Sequence, residues 1–376
     1  MKKKICFFIN SGWYFKLHWF DRAKLFLNDG FDVYVIGHFT KEEKTFLTRA
    51  GMNCYESGMH ERSLNVFSSL KDMLNIFLIL RKIRPDILHS ITIKPILIGG
   101  IFSRLSAKPF VASFVGLGRV FMKQDPLYKT LNFLVRKLYS FIFGNAKSRL
   151  IFEHVHDMNL LKSLTNVSKH QCFVIEGVGV DLINNYNYIP EKNNTPPVIL
   201  FASRLLKSKG LEVLVNIKKE LLSENFDFTL NVAGIEVKDD RDAIPIEQIN
   251  KWHNLGLINW LGKRDDVPEL IAESNIVALP STYFEGIPRI IIEGAAIGRA
   301  CIVYDSGGCS SIIKDSVNGF VIKKNDTKQF KEKIRVLLSN SDLRYEMGVN
   351  GRKIVEERFS LQSVFNKTKL IYLNIL

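Results

Sequence analysis

The run VILFAS at 198–203 leads straight into Arg204-Leu-Leu-Lys-Ser-Lys209-Gly210, and then into a segment whose Leu214, Ile217 and Leu221 recur at helical spacing. A strand, a loop with fixed cations and a helix N-terminus together make an anion site. Unpaired backbone N–H groups and the helix dipole add to the side-chain charge there. Arg204 would grip a diphosphate as a fork and Lys209 as a point charge. The same residues also fit a solvated basic loop, the usual place for surface charge. No G-x-x-x-x-G-K-[ST] motif occurs, which argues against a nucleotide-hydrolysing P-loop.

A second constellation lies in LPSTYFEGIPRIIIEGAAIGRACI, where Glu285 and Glu293 flank Gly286 and Pro288. Pro288 suits a first helical turn and Gly298 a helix end, so Glu285 falls in the loop before the helix and Glu293 inside it. Propensity opposes this, because the β-branched Ile290, Ile291 and Ile292 favour a strand. A carboxylate ahead of a helix can accept bonds from sugar hydroxyls, and one a turn further in can hold a ribose. Two glutamates at this spacing also fit solvated helix charge.

Elsewhere, His18 stands one helical turn beyond the Gly12 loop and His89 closes a strand. Each is a candidate acid–base group or a satisfied structural imidazole. Lys94-Pro95 opens a helix and could bind a second diphosphate. His154-x-His156-Asp157 lacks a third spaced ligand set and reads as structural, so no metal is expected. The stretch PLYKTLNFLVRKLYSFIFGNAKSR interleaves Tyr128, Phe133, Tyr139, Phe141 and Phe143 with Lys129, Arg136, Lys137, Lys147 and Arg149. Such a helix suits a membrane interface with anionic headgroups, or a core with a basic rim. No nucleic-acid-binding motif is recognisable.

The elements that must position these groups follow from apolar patterning. Of the 376 residues 46% are hydrophobic and 24% charged, enough to bury a core and to exclude a disordered or disulfide-stapled chain. KICFFIN, FDVYVIG, PDILHSI and PFVASFV read as strands, separated by helices such as 66–83 and 95–106, which implies a parallel α/β sheet. After an Asn- and Pro-rich stretch the pattern restarts with VILFAS, TLNVAG and NIVALPS. This predicts two Rossmann-like domains, 1–185 and 197–358, joined by a linker at 186–196 and facing a central cleft. Ligands in such sheets sit at the carboxyl ends of the strands.

The formal net charge is +14, from 52 Lys+Arg and 38 Asp+Glu. Residues 1–190 hold 26 of the bases and only 14 of the acids, so the excess lies in the first half. An anionic partner is expected there. Five scattered cysteines without a C-x-x-C pair fit reduced thiols in the cytosol. MKKKICFFIN is interrupted too early for a signal peptide, and no run is long enough to span a bilayer.

The order Arg204, Lys209-Gly210, Tyr283-x-Glu285-Gly-x-Pro-Arg289 and Glu293 resembles the donor half of the family 4 retaining glycosyltransferases, which have the GT-B fold. The likeness runs through the chain in TIKPILIGG, GLGRVF, GVGVD, LGKRDDVPEL and NGFVI. It is strongest to bacterial enzymes that act on undecaprenyl-diphosphate-linked saccharides in surface-polysaccharide assembly. The resemblance implies a nucleotide-sugar donor, UDP-linked, held at its diphosphate by Arg204, Lys209 and Gly210. Glu285 with Gly286 would meet the transferred sugar, Glu293 the ribose, and backbone around Lys263 and Arg264 the base. Gly12 would admit the donor phosphates, with His18 and His89 near the reaction. Lys94, Arg119, Lys129, Arg136 and Lys137 would face the acceptor or an anionic inner-membrane surface. Residues 359–376 would form a helix returning to the first domain.

Two positions depart from the family: Val115 stands where some members carry histidine, and Phe284 where close relatives often carry arginine. The implied mechanism is front-face attack by the acceptor hydroxyl without a metal or other cofactor. The implied place is the cytoplasmic face of the inner membrane, peripherally. A nucleotide-sugar 2-epimerase on the same fold and a non-catalytic basic membrane-binding module are the rival readings.

Overall fold

KICFFIN is apolar at nearly every position because it becomes a central strand covered on both faces. In the computed structural model it forms β1 (Lys4–Ser11), with Ile5, Phe7 and Ile9 in one core and Cys6 and Phe8 in another. The structure describes residues 2–59, 66–116, 126–237, 240–283 and 286–376, with backbone alone for 66–70, 126–129 and 131. The first sheet continues with β2 (Asp32–His38), β3 (Asn53–Glu56), β4 (Ile87–Ile91), β5 (Phe110–Phe114), β6 (Ser148–Phe152) and β7 (Cys172–Val174). All its pairings are parallel, in the order β3-β2-β1-β4-β5-β6-β7. The order reverses direction between β1 and β4, the topological switch point.

On one face lie α1 (Gly12–His18), α2 (Phe20–Asn28) and α3 (Lys41–Arg49), with Phe15, Trp19, Phe26 and Leu47 buried. On the other lie α4 (Val66–Ile83), α5 (Ile93–Ser106), α6 (Pro126–Phe143) and α7 (Val155–Leu164), which bury Ile76, Phe102, Tyr139 and Leu161. A fully buried side chain such as Phe7 or Phe26 contributes about 2–3 kcal/mol through the area withdrawn from water.

The second sheet holds β8 (Val198–Arg204), β9 (Thr229–Ile235), β10 (Asn259–Trp260), β11 (Ile276–Leu279), β12 (Ala300–Tyr304) and β13 (Gly319–Ile322). Its order is β10-β9-β8-β11-β12-β13, again parallel, with the switch point between β8 and β11. Its helices are α8 (Leu211–Ser223), α9 (Ile246–Asn254), α10 (Val267–Ala272), α11 (Arg289–Ile297), α12 (Cys309–Ile312), α13 (Thr327–Ser339) and α14 (Ser341–Ile354). A last helix, α15 (Leu361–Leu373), carries Val364, Phe365 and Tyr372 into the first core.

The contacts divide the chain into Met1–Val178 with Val364–Leu376, and Gly179–Ser363. The boundary therefore precedes the segment 186–196 expected to be a linker. That segment belongs to the second unit, where Tyr186 is buried in the core and Asn194 bonds Glu273 O and Asn275 Oδ1. Its Asn and Pro residues mark turns rather than a division between domains. The Ile290–Ile292 run is helical despite its propensity, because every side chain from Ile290 to Ile297 is buried and Gly298 closes the helix at φ +92°. Beside it, the fully buried Arg299 donates to the carbonyls of Ile271, Ala272, Ile297, Gly298 and Ile189, meeting two helix C-termini with positive charge.

Candidate active site

At the carboxyl end of β8 the chain leaves the sheet at Arg204, which is exposed, and makes a short turn over Lys207–Lys209. Gly210 then caps α8 at φ +84°, and a Cβ on it would lie 2.1 Å from the Pro280 carbonyl oxygen. Only glycine serves here, both for its backbone and for the close approach of the loop after β11. Lys209 is 6% exposed, unusual for a lysine.

Ser208 fastens this loop on two sides. Its carbonyl accepts from Thr282 N–H at 2.7 Å and from the hydroxyls of Ser281 and Thr282 at 3.3 Å each. Its hydroxyl donates to Asp242 in a short bond, and its N–H donates to the same carboxylate at 3.3 Å. Lys207 N–H donates to Asp242 O at 2.7 Å. The loops after β8, β9 and β11 are thus one hydrogen-bonded assembly at the switch point. Arg204, Lys209, Gly210 and Gly286 are brought to this end of the sheet. Glu285 and Phe284 lie outside the described residues.

Glu293, in the second turn of α11, is 5% exposed. Its Oε1 accepts from Arg289 Nε at 2.5 Å and from the Tyr186 hydroxyl in a short bond. Burial and then the Glu293 charge push the Tyr186 hydroxyl well above its ordinary pKa, so it remains a donor. Both contacts fall on one carboxylate oxygen. The carboxylate is held rigidly and can offer Oε2 to a ligand hydroxyl. Lys263 and Arg264 are exposed in the loop after β10. Arg264 pairs within that loop to both oxygens of Asp266, at 2.7 Å through Nε, which leaves backbone rather than guanidinium to meet a base.

The first unit corrects several expectations. His89 is 0% exposed, with Nδ1 2.5 Å from the Tyr372 hydroxyl and Nε2 2.7 Å from Ser113 Oγ. One nitrogen donates and the other accepts, as a neutral imidazole must. Burial and then the nearby Arg22 charge lower its pKa well below the ordinary value. Sealed and fully bonded, it is a structural residue, not a catalyst. Arg22 is 3% exposed, lies 4.3 Å from the Trp19 ring centre, and donates to Val178 O at 2.9 Å. Burial lowers its pKa to about 10.

Gly12 is buried, but a Cβ there would meet Glu43 Oε2 at 2.5 Å and the Phe39 ring at 2.6 Å. Packing against Phe39, just after β2, and against α3 therefore favours the glycine, independently of any ligand. His18, at the end of α1, packs against Tyr14 with ring centres 4.4 Å apart and the rings tilted at 42°. Lys94 lies in the first turn of α5, after Thr92, whose φ of +72° is strained for a β-branched residue.

On α6, Arg136 Nε donates to Leu164 O at 2.9 Å and so ties α6 to α7. Tyr139 and Phe143 are core residues, while Phe133, Lys137 and Phe141 are exposed. Arg149 belongs to β6 and bonds local carbonyls. Arg119 and the side chain of Lys129 lie outside the described residues. His154 and Asp157 are buried at the start of α7, and no group of three metal-type ligands occurs among the described residues. No described helix is long and apolar enough to cross a membrane.

Sequence reasoning missed Tyr186, Ser208, Asp242 and Thr282, which join segments remote in sequence and carry no local signal. Arg289 stood in the quoted motif without a role, although its i,i+4 spacing to Glu293 was legible.

Residues 184–354 match the family described as Glycosyl transferases group 1, and residues 4–152 match Glycosyl transferase 4-like. The N,N'-diacetylbacillosaminyl-diphospho-undecaprenol alpha-1,3-N-acetylgalactosaminyltransferase of Campylobacter jejuni is 28% identical over 300 residues, 77% of each chain. The UDP-Gal:alpha-D-GlcNAc-diphosphoundecaprenol alpha-1,3-galactosyltransferase of Escherichia coli is 25% identical over 84% of this chain and 82% of its own. The crystal structure of a glycosyltransferase from Rickettsia africae aligns with a TM-score of 0.81 at 22% identity, covering 100% of this chain and 99% of that one.

Proposed function

The chain belongs to the group 1 glycosyltransferases, with a family-4-like N-terminal part and the GT-B fold, and we propose that it moves a sugar, with retention, from a UDP-linked donor to a saccharide on a polyprenyl diphosphate. The observation that carries this reading is the stapled loop assembly at the β8/β11 switch point, with Lys209 buried within it and Glu293 buried in the helix that follows β11. The named activities of the C. jejuni and E. coli relatives support the acceptor class, and that of the E. coli relative supports the uridine donor.

In this scheme Arg204, Lys209 and the N-terminal amides of α8 hold the donor diphosphate. Glu293 Oε2 accepts from the ribose hydroxyls, and the segment at Glu285 and Gly286 meets the hexose. The acceptor hydroxyl attacks the anomeric carbon on the face from which the diphosphate departs. The anomeric C–O bond to the diphosphate breaks, the new glycosidic bond forms, and the acceptor proton passes to a diphosphate oxygen. Arg204 and Lys209 stabilise the charge that develops on the leaving group. The chemistry assigned to these residues uses no metal. We assign the acceptor to the first unit, through Lys94 and the α5 N-terminus, and place the enzyme on the cytoplasmic face of the inner membrane in surface-glycan assembly.

The test is a panel of UDP-sugars offered with a synthetic polyprenyl-diphosphate saccharide. A lipid-linked product one sugar longer, formed with an α-linkage from an α-linked donor, is expected. Exchange at C2 of UDP-GlcNAc without acceptor would establish the epimerase instead.

A further inference from the structure

Tyr186, which the sequence pattern places in a linker, is firmly held in the second unit. It is 5% exposed and lies in the core of that unit. Its N–H donates to Asp181 O at 2.9 Å, and its carbonyl accepts from Arg352 Nη1 at 2.6 Å. The same nitrogen donates to Ala296 O at 2.8 Å, and Ile189 N–H donates to Ile297 O at 3.1 Å. The segment 186–189 is thereby fastened alongside α11. From there the Tyr186 hydroxyl reaches Glu293 Oε1, about one turn before Ala296 on that helix.

A buried tyrosine needs a partner for its hydroxyl, and any carbonyl would serve that purpose. Here the partner is a carboxylate already paired with Arg289, through Nε at 2.5 Å. An unhindered arginine takes both oxygens of a carboxylate with its fork, as Arg264 does with Asp266 in the loop after β10. Arg289 and Tyr186 instead converge on one oxygen, and no bond from the described residues falls on Oε2. The last torsion of a glutamate is soft, so a carboxylate tethered by Arg289 alone can turn, close the fork and consume Oε2. A second donor fixed to the core opposes that turn. Burial and then the Glu293 charge raise the Tyr186 pKa well above its ordinary value, so the hydroxyl keeps its proton and the bond persists around neutral pH.

We infer that Tyr186 is a positioning residue for the donor's ribose: its hydroxyl holds the Glu293 carboxylate with Oε2 presented, and so sets the preference for a nucleotide that carries both ribose hydroxyls. The inference rests on the proposed contact between Glu293 and the ribose. It adds a residue 107 positions away that touches no substrate itself. A site built to bond a hydroxyl rejects the analogue lacking it, because the buried acceptor is left unpaired. Loosening the acceptor relaxes that rejection.

The experiment is calorimetric titration of the full-length protein with UDP and with 2′,3′-dideoxy-UDP, for the wild type, Tyr186→Phe, Glu293→Gln and the double variant. The wild type should bind UDP at least about tenfold more tightly than the dideoxy nucleotide. Tyr186→Phe should weaken UDP binding about three- to tenfold and leave the dideoxy nucleotide within about twofold, so the preference collapses. Glu293→Gln should lower the preference by itself, and Tyr186→Phe added to it should change it no further, because the tyrosine acts through the carboxylate. Binding of the dideoxy nucleotide, with an unchanged thermal transition, shows that a variant is folded around its site. A tyrosine that only fills the core would weaken both nucleotides alike, or neither, and either result overturns the inference. So does an additive effect in the Glu293→Gln background. A wild-type protein indifferent to the ribose hydroxyls would overturn the reading of Glu293 and the inference with it. A preference lost in Glu293→Gln but kept in Tyr186→Phe would overturn the inference alone.

Discussion

Gly12 and Gly210 occupy corresponding places, each at the carboxyl end of the strand beside its sheet's switch point, yet they are glycine for different reasons. Gly210 has a left-handed backbone, and its missing Cβ makes room for the backbone carbonyl of Pro280. At Gly12 the space is taken by the end of the Glu43 side chain and the Phe39 ring, and its φ is not left-handed. The polar groups nearby differ in the same sense. In the first unit His89 has both ring nitrogens bonded inside the core. In the second, Glu293 engages its partners among the described residues through Oε1. Burial with every atom satisfied suits scaffold, whereas a buried carboxylate with one oxygen left to accept, as in the second turn of α11, suits a ligand site.

The largest effect that would sharpen this contrast is on the glycines. Gly210→Ala should cost about 4 kcal/mol or more, because a rigid backbone oxygen cannot yield and the φ is strained. Gly12→Ala should cost about 1–2 kcal/mol, since a flexible carboxylate and a ring can move. Urea unfolding of both variants measures the difference, and equal losses would break the comparison.

Next in size, Arg204→Ala and Lys209→Ala should each lower kcat/KM by about 10²–10³, while His89→Gln leaves kcat/KM of the folded protein within a few-fold. Glu293→Ala should destabilise the second unit by about 2–3 kcal/mol, because it leaves the half-buried Arg289 without its partner. Glu293→Gln, which keeps an acceptor for Tyr186, should instead show chiefly a raised donor KM.

A smaller effect concerns acid stability. The folded-state pKa of His89 lies well below its ordinary 6.5, so below that value the unfolded chain binds a proton that the folded one does not. The contribution is complete at neutral pH and is lost as the pH falls below about 6.5, at up to about 1.4 kcal/mol per pH unit. Urea midpoints from pH 7 to pH 5 should decline less steeply in His89→Gln; parallel declines would contradict the assignment of this histidine.

Much of the fold was legible because buried parallel strands are continuous apolar runs, and VILFAS or KICFFIN can hardly be anything else. Arg204, Lys209 and Gly210 were legible for a related reason: a strand, a basic loop and a helix start are contiguous in sequence. What was hidden depended on long-range packing. Tyr186 looked like part of a linker, yet its hydroxyl finds Glu293 across 107 positions. His89 looked catalytic at a strand end until Tyr372, 283 positions away, closed over it. Ile290–Ile292 look like a strand because local propensity does not register that a helix there buries all three.

The most direct test of the central claim is transfer to a synthetic polyprenyl-diphosphate saccharide by the wild type and by Lys209→Ala, with folding of the variant checked by its thermal transition. The account predicts a lipid-linked product one sugar longer with retained configuration, and a loss of at least about a hundredfold on removing Lys209. Undiminished product from folded Lys209→Ala, or donor turnover that ignores the lipid acceptor, would contradict it.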